Sequence, residues 1–147
     1  MKIVLPSDVR LLDLAHAASE KMAELGGFSE EEALDLGLAV REAVVNAMVH
    51  GNRRDPALSV ALTLSVREGE VKVRVADRGQ GFDPRATADP REGDNVMRSS
   101  GRGILLIRAY VDDVVFRYRE GRGMEVTLVK RVRKDEPAAR PAHAARA

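Results

Sequence analysis

A chain of 147 residues, 44% apolar and 32% charged, has the length of one domain and the composition of a globular protein. Its formal charge of +1 gives no field to draw it to nucleic acid or to an acidic lipid surface, so neither is expected as a direct partner. Cysteine is absent and the three histidines, His16, His50 and His143, lack metal-ligand spacing, which excludes disulfide frameworks, thiolate catalysis and cysteine-based zinc sites.

Lys2 to Leu5 reads as a short strand closed by Pro6, with too short an apolar run for a signal peptide. No stretch approaches the roughly 20 apolar residues of a membrane span, and a cytoplasmic location is expected. Ser7 or Asp8 caps a first helix to about Leu25, with Val9, Leu12, Ala15, Met22 and Leu25 as its apolar stripe and Gly26-Gly27 as its stop. Ser29 to Glu32 is a capping box that opens a second helix of about 20 residues. That helix ends at His50, and Gly51 suits the left-handed position beyond its last turn.

The second helix carries Glu42, Asn46 and His50 at i, i+4 and i+8, a polar stripe among Leu34, Leu36, Leu38, Val40, Val44, Val45, Met48 and Val49. Such an apolar surround predicts a buried helix, where an unpartnered carboxylate or amide costs several kcal/mol. The stripe is either a helix edge reaching water or a set of groups meeting a ligand, and these residues alone leave both readings open.

After a turn at Arg53 to Pro56, apolar residues alternate strictly from Leu58 to Val66, then again at Val71, Val73 and Val75, predicting an antiparallel hairpin through Glu68-Gly69-Glu70. By the same period Asp77 points inward at the end of the second strand. Arg78 to Ser100 has no sustained period, and a loop of about 20 residues is usually functional or mobile. Gly101-Arg102-Gly103 leads into a short apolar helix from Ile104 to Val111. Asp112 to Tyr118 and Met124 to Val132 form a second hairpin turning at Glu120 to Gly123, and the Ala-, Pro- and Arg-rich segment from Arg133 is expected to be a disordered tail.

Asp77-Arg78-Gly79-Gln80-Gly81 at a strand end and Gly101-x-Gly103 before a helix are each weak signals, yet together they suit a phosphate ligand. Glycines admit close backbone approach and a helix N-terminus attracts an anion. Asp77 at a pocket floor would accept a hydrogen bond from an exocyclic amino group. Asn46 offers a neutral oxygen to Mg²⁺, which takes few protein ligands beside water and phosphate oxygens.

The order E-x-x-x-N-A-x-x-H-G, D-x-G-x-G and G-x-G before a hydrophobic helix resembles the N, G1 and G2 boxes of the ATPase superfamily that includes gyrase, Hsp90, histidine kinases and MutL. Within it, the run Asn46-Ala47-Met48-Val49-His50-Gly51-Asn52 and the segment Gly101 to Asp112 most resemble the anti-sigma factor serine kinases of the RsbW and SpoIIAB type, over about Lys2 to Arg133. The resemblance implies an α/β (α+β) two-layer sandwich of the Bergerat type, a mixed, mainly antiparallel sheet with helices packed on one face. It implies an ATP-binding kinase domain over residues 1–133 with a lid at about 82–100, followed by a tail over 134–147. ATP and Mg²⁺ are the implied cofactors. Asn46 would hold the metal, Asp77 would bind the adenine amino group, Gly79 and Gly81 would shape that pocket, and Gly101, Arg102 and Gly103 would meet the phosphates. Glu42 would be the general base toward an incoming serine hydroxyl. His50 is assigned to packing or the helix end ahead of ligand contact. The implied partners are a sigma factor, a small STAS-type antagonist whose serine is phosphorylated, and a second copy of the chain. Two other readings are a nucleotide-binding sequestering module without phosphotransfer and a stand-alone histidine-kinase-like ATPase. One position departs from the family's pattern, since Met124 stands where relatives usually place Thr at the adenine; Thr127, on the opposite face, is no substitute.

Overall fold

The computed structural model describes residues 1–79 and 103–133. Five strands, β1 (Lys2–Pro6), β2 (Ser59–Arg67), β3 (Glu70–Ala76), β4 (Asp113–Arg119) and β5 (Gly123–Arg131), form one sheet in the order β1-β2-β3-β5-β4. Every pairing among them is antiparallel. The alternation of β2, β3 and β5 buries Val60, Leu62, Leu64, Val71, Val73, Val75, Val126 and Leu128 on one face. Helices α1 (Leu12–Leu25) and α2 (Glu30–Val45) cover that face, α1 over β2 and α2 over β3 and β5. The expected two-layer α/β sandwich is therefore present, and the described hairpins match the alternation within a residue at their ends.

Three local features differ from the sequence reading. The first helix is preceded by a 3-10 turn, Val9–Leu11, whose N-cap is Asp8. Its tighter winding moves Val9 out of the stripe, and Leu25 at the last helical position is 72% exposed, so the buried line is Leu12, Ala15, Ser19 and Ala23. The second helix does open on the expected capping box, with Ser29 Oγ accepting from the Glu32 N–H and the Glu32 carboxylate accepting from the Ser29 N–H. Its α-geometry, however, stops at Val45. Asn46–Gly51 is a π-helix, closed by the Asn52 N–H donating to the Ala47 carbonyl at 2.8 Å. The wider turn takes His50 off the line that an α-helix would give, leaving Glu42 and Asn46 as the pair that shares a face. Gly51 is not the left-handed residue; Arg53 (φ 52°) and Arg54 (φ 62°) are, and they reverse the chain toward β2.

Among the described residues no helix is long and apolar enough to cross a membrane. A third helix, α3, is described over residues 103–110. Its last carbonyl, on Tyr110, accepts from the buried Lys130 Nζ at 2.7 Å, a cation placed on the negative end of the helix. The proposed lid at about 82–100 and the tail at 134–147 lie outside the described residues.

Candidate functional site

Glu42 occupies the last full turn of α2 and Asn46 the first position of the π segment, so their side chains stand one above the other. Asn46 is buried and Glu42 half-buried. Both face the backbone of Gly103, where the described part of α3 begins. A Cβ added there would lie 3.2 Å from Glu42 Oε2 and 3.4 Å from Asn46 Nδ2. A carboxylate, an amide and the first described turn of a helix thus meet at one point, and the glycine keeps the ground between them free of side chain. This suits a phosphate chain. The leading N–H groups of a helix attract its charge, and the Asn46 Oδ1 is the donor type that a hydrated Mg²⁺ accepts. Among the described residues no cluster of three or more His, Asp or Glu forms a metal cage by itself.

Asp77 sits just beyond β3 and is 3% exposed. Its N–H donates to the Met124 carbonyl at 3.0 Å, as the antiparallel ladder with β5 requires. In return the Met124 N–H donates to the Asp77 side chain, at 3.1 Å from Oδ1. The same Oδ1 accepts from the Gly79 N–H at 3.2 Å. Two backbone donors therefore fix one carboxylate oxygen, and the described residues offer no hydrogen-bond donor to the other. Burial pushes the Asp77 pKa up, opposed by these two backbone hydrogen bonds and by the nearby Arg119. A carboxylate held in this way is a directional acceptor with little water around it.

Backbone crowding around Asp77 explains three glycines. A Cβ on Gly51 would collide with the Asp77 carboxylate, one on Gly79 would collide with the Gly51 carbonyl, and one on Gly123 (φ 102°) would collide with Asp77 Oδ1. The end of the π segment, the exit of β3 and the start of β5 are in van der Waals contact there, and only glycine permits it. Asn52, 1% exposed, ties the same crossing together. Its Oδ1 accepts from the Arg78 N–H at 2.9 Å, while its Nδ2 donates to Ser7 Oγ at 2.8 Å and to the Ser59 carbonyl at 3.1 Å.

Of the residues expected at the site, the fold brings Glu42, Asn46 and Gly103 together at one point and Asp77, Gly79 and Met124 at another. The two groups are joined by the π segment. Met124 contributes its main chain to Asp77, and its side chain, 2% exposed, lies with Val126 and Leu128 in the core. His50 is half-buried, and burial followed by the charge of Arg54 lowers its pKa. Gly81, Gly101 and Arg102 lie outside the described residues. Gly51, Asn52 and Gly123 were not expected as site residues. The only sign of the first two was their place directly after His50 in the Asn-Ala-x-x-His-Gly-Asn run. A cleft of about 770 Å³ opens behind this crossing, lined by Gly51, Arg53, Arg78, Gly79 and Tyr118 among others. Neither Glu42 nor Asn46 reaches it, so it is separate from the meeting point at Gly103.

The sequence signature of the histidine kinase-like ATPase domain matches residues 5–130. Among characterised relatives, the serine-protein kinase RsbW of Listeria monocytogenes serovar 1/2a is 30% identical over 129 residues, covering 84% of this chain and 82% of that protein. The RsbW of Listeria innocua serovar 6a is likewise 30% identical over 129 residues, with the same coverage of 84% and 82%. The RsbW of Staphylococcus epidermidis is 25% identical over 139 residues, covering 90% of this chain and 86% of its own.

Proposed function

Because the chain belongs to the histidine kinase-like ATPase family, and within it to the RsbW-type serine-protein kinases, we propose that it is an ATP-dependent serine kinase that also acts as an anti-sigma factor. Bound to ATP, it sequesters a sigma factor, and it phosphorylates a serine on a small STAS-type antagonist that competes for it. The observation that carries this reading is the convergence of Glu42 and Asn46 on the Gly103 backbone. A nucleotide-only site has use for the amide and the helix start; it has no need of a carboxylate one turn away.

In this reading Gly101, Arg102 and Gly103 would meet the triphosphate, and Asn46 would hold the magnesium ion. Bound there, a magnesium ion would supply charge neutralisation on the phosphates during transfer. Glu42 accepts the proton of the incoming serine hydroxyl while the serine oxygen forms its bond to the γ-phosphorus and ADP departs with the bridging oxygen. At the other end, Asp77 accepts from the adenine amino group, with Gly79 and Gly81 shaping the pocket edge. Met124 presents no hydroxyl there, so Asp77, anchored by the Met124 N–H, meets the adenine without the threonine that relatives usually place beside it. His50 packs at the end of the π segment. The chain works in the cytoplasm as a homodimer.

Incubation with labelled ATP, Mg²⁺ and a candidate antagonist tests the proposal. Glu42→Gln is expected to bind ATP as the wild type does and to transfer label about 10²- to 10⁴-fold more slowly. A wild-type protein that binds ATP and a sigma factor, yet labels no antagonist, would leave the sequestering module without phosphotransfer as the surviving reading.

A further inference from the structure

The reading of Asp77 as the adenine acceptor leaves open what aims its carboxylate. The β3 ladder ends at Ala76, and among the described residues the hydrogen bonds that hold Asp77 to Gly79 beyond it are those of Asp77 with Met124 and Gly79 and one tie from outside. That tie is Asn52. The Arg78 N–H donates to its Oδ1 at 2.9 Å, and the amide is locked from the other side by Ser7 Oγ and the Ser59 and Leu58 carbonyls at 2.8, 3.1 and 3.3 Å. The orientation is unambiguous. A flipped amide would set its NH₂ against the Arg78 N–H and its oxygen against two carbonyls. Ser7 in turn donates to the Leu58 carbonyl at 2.7 Å, so the tie reaches the start of β2 as well as the end of the π segment.

We infer that Asn52 is a positioning residue for base recognition. It clamps the turn after Asp77 to the end of the Asn46 helix, so that the carboxylate points at a purine amino group and repels a purine carbonyl. Adenine presents a donor at this edge and guanine an acceptor, hence a well-aimed carboxylate separates ATP from GTP and a loosened one does not. This rests on the ATP-binding reading above. It adds that discrimination is set by a residue with no expected contact to nucleotide.

Calorimetric titration of Mg·ATP and Mg·GTP into the wild type, Asn52→Leu, Asn52→Asp and Ser7→Ala, alongside thermal melts, tests it. Asn52→Leu is expected to weaken ATP binding about tenfold and to erode the ATP-over-GTP preference by a similar factor, the effect of one lost buried hydrogen bond. Asn52→Asp keeps an acceptor for the Arg78 N–H but sets its second oxygen against the Ser59 and Leu58 carbonyls, so it lowers the melting temperature while retaining more of the preference than Asn52→Leu, whereas Ser7→Ala lowers the melting temperature and leaves the preference intact. Should Asn52→Leu not fold, hydrogen exchange of the Arg78 amide in the wild type decides, with slowing by ATP and not by GTP expected and equal behaviour contradicting the inference. Asn52→Leu with wild-type preference, or Ser7→Ala losing as much preference as Asn52→Leu, overturns the role of Asn52 alone. A wild-type protein that binds neither nucleotide overturns the functional reading and this inference with it.

Discussion

At the residue scale, Asp77 combines a cost in stability with the recognition role proposed for it. Its pKa is raised in the folded protein, chiefly by burial, so it binds its proton more tightly folded than unfolded. The sign follows from linkage. The protonated form favours folding below the unfolded carboxylate range, and that contribution is lost as pH rises through the folded value. Asp77→Asn removes the charge while its amide oxygen can still accept from Met124 and Gly79. At pH 7 this variant is expected to be at least as stable as the wild type in denaturant melts, with the advantage shrinking toward acid pH. The same variant is expected to lose about 2 kcal/mol of ATP binding, roughly thirtyfold in affinity, because a charged acceptor for the amino group is gone. A residue that destabilises the fold and strengthens binding is a mark of a site. Gly51→Ala tests the crowding around it. The added methyl meets the Asp77 carboxylate, and overpacking of about 1–3 kcal/mol together with loss of nucleotide affinity is expected.

At the element scale, the clearest division lies within the helix that carries Glu42 and Asn46. Its start was legible, since Ser29 and Glu32 stand at capping-box spacing with acidic residues gathered at the positive end of the dipole. Ser29→Ala is expected to cost about 1 kcal/mol in a thermal or chemical melt and to leave nucleotide affinity unchanged, because the cap lies at the far end from Asn46. Its end was not legible. Helical propensity does not separate α- from π-geometry over six residues. The π turn Asn46–Gly51 is set by contacts distant in sequence, where Gly51 must lie on Asp77 and Asn52 must reach Ser7, Ser59 and Arg78. Strand alternation, by contrast, is a local code, and it placed Val60, Leu62, Leu64, Val71, Val73, Val75, Val126 and Leu128 on one buried face without tertiary information. The same code put Asp77 at the inner end of β3. It did not show that Met124 would hold Asp77 through its main chain, because backbone pairing across two hairpins depends on sheet order rather than on residue type.

At the scale of the whole molecule, the sheet order β1-β2-β3-β5-β4 is what makes a site possible. Placing β5 beside β3 puts Met124 and Gly123 against Asp77, and α2 over β3 and β5 brings its C-terminal continuation to the same end of the sheet. Helix α3, held at its far end by Lys130, meets Glu42 and Asn46 from the other side. Four elements, β3, β5, α2 and α3, thus close on one region, and the proposed acceptor for a base and the proposed contacts for a phosphate chain are fixed to one core. A ligand bridging them binds the folded state alone. Mg·ATP at about 100 times its Kd is therefore expected to stabilise the protein by about 2.7 kcal/mol, read as a rise in melting temperature that Asp77→Asn and Asn46→Ala both diminish.

The most direct measurement is isothermal titration of Mg·ATP into the wild type, Asn46→Ala and Asp77→Asn under identical conditions. One site per chain in the wild type is predicted, with a dependence on Mg²⁺ that Asn46→Ala removes and an affinity that Asp77→Asn weakens roughly thirtyfold. No heat of association with the wild type, or binding untouched by either substitution, would contradict the placement of ATP between the Asn46 helix and Asp77.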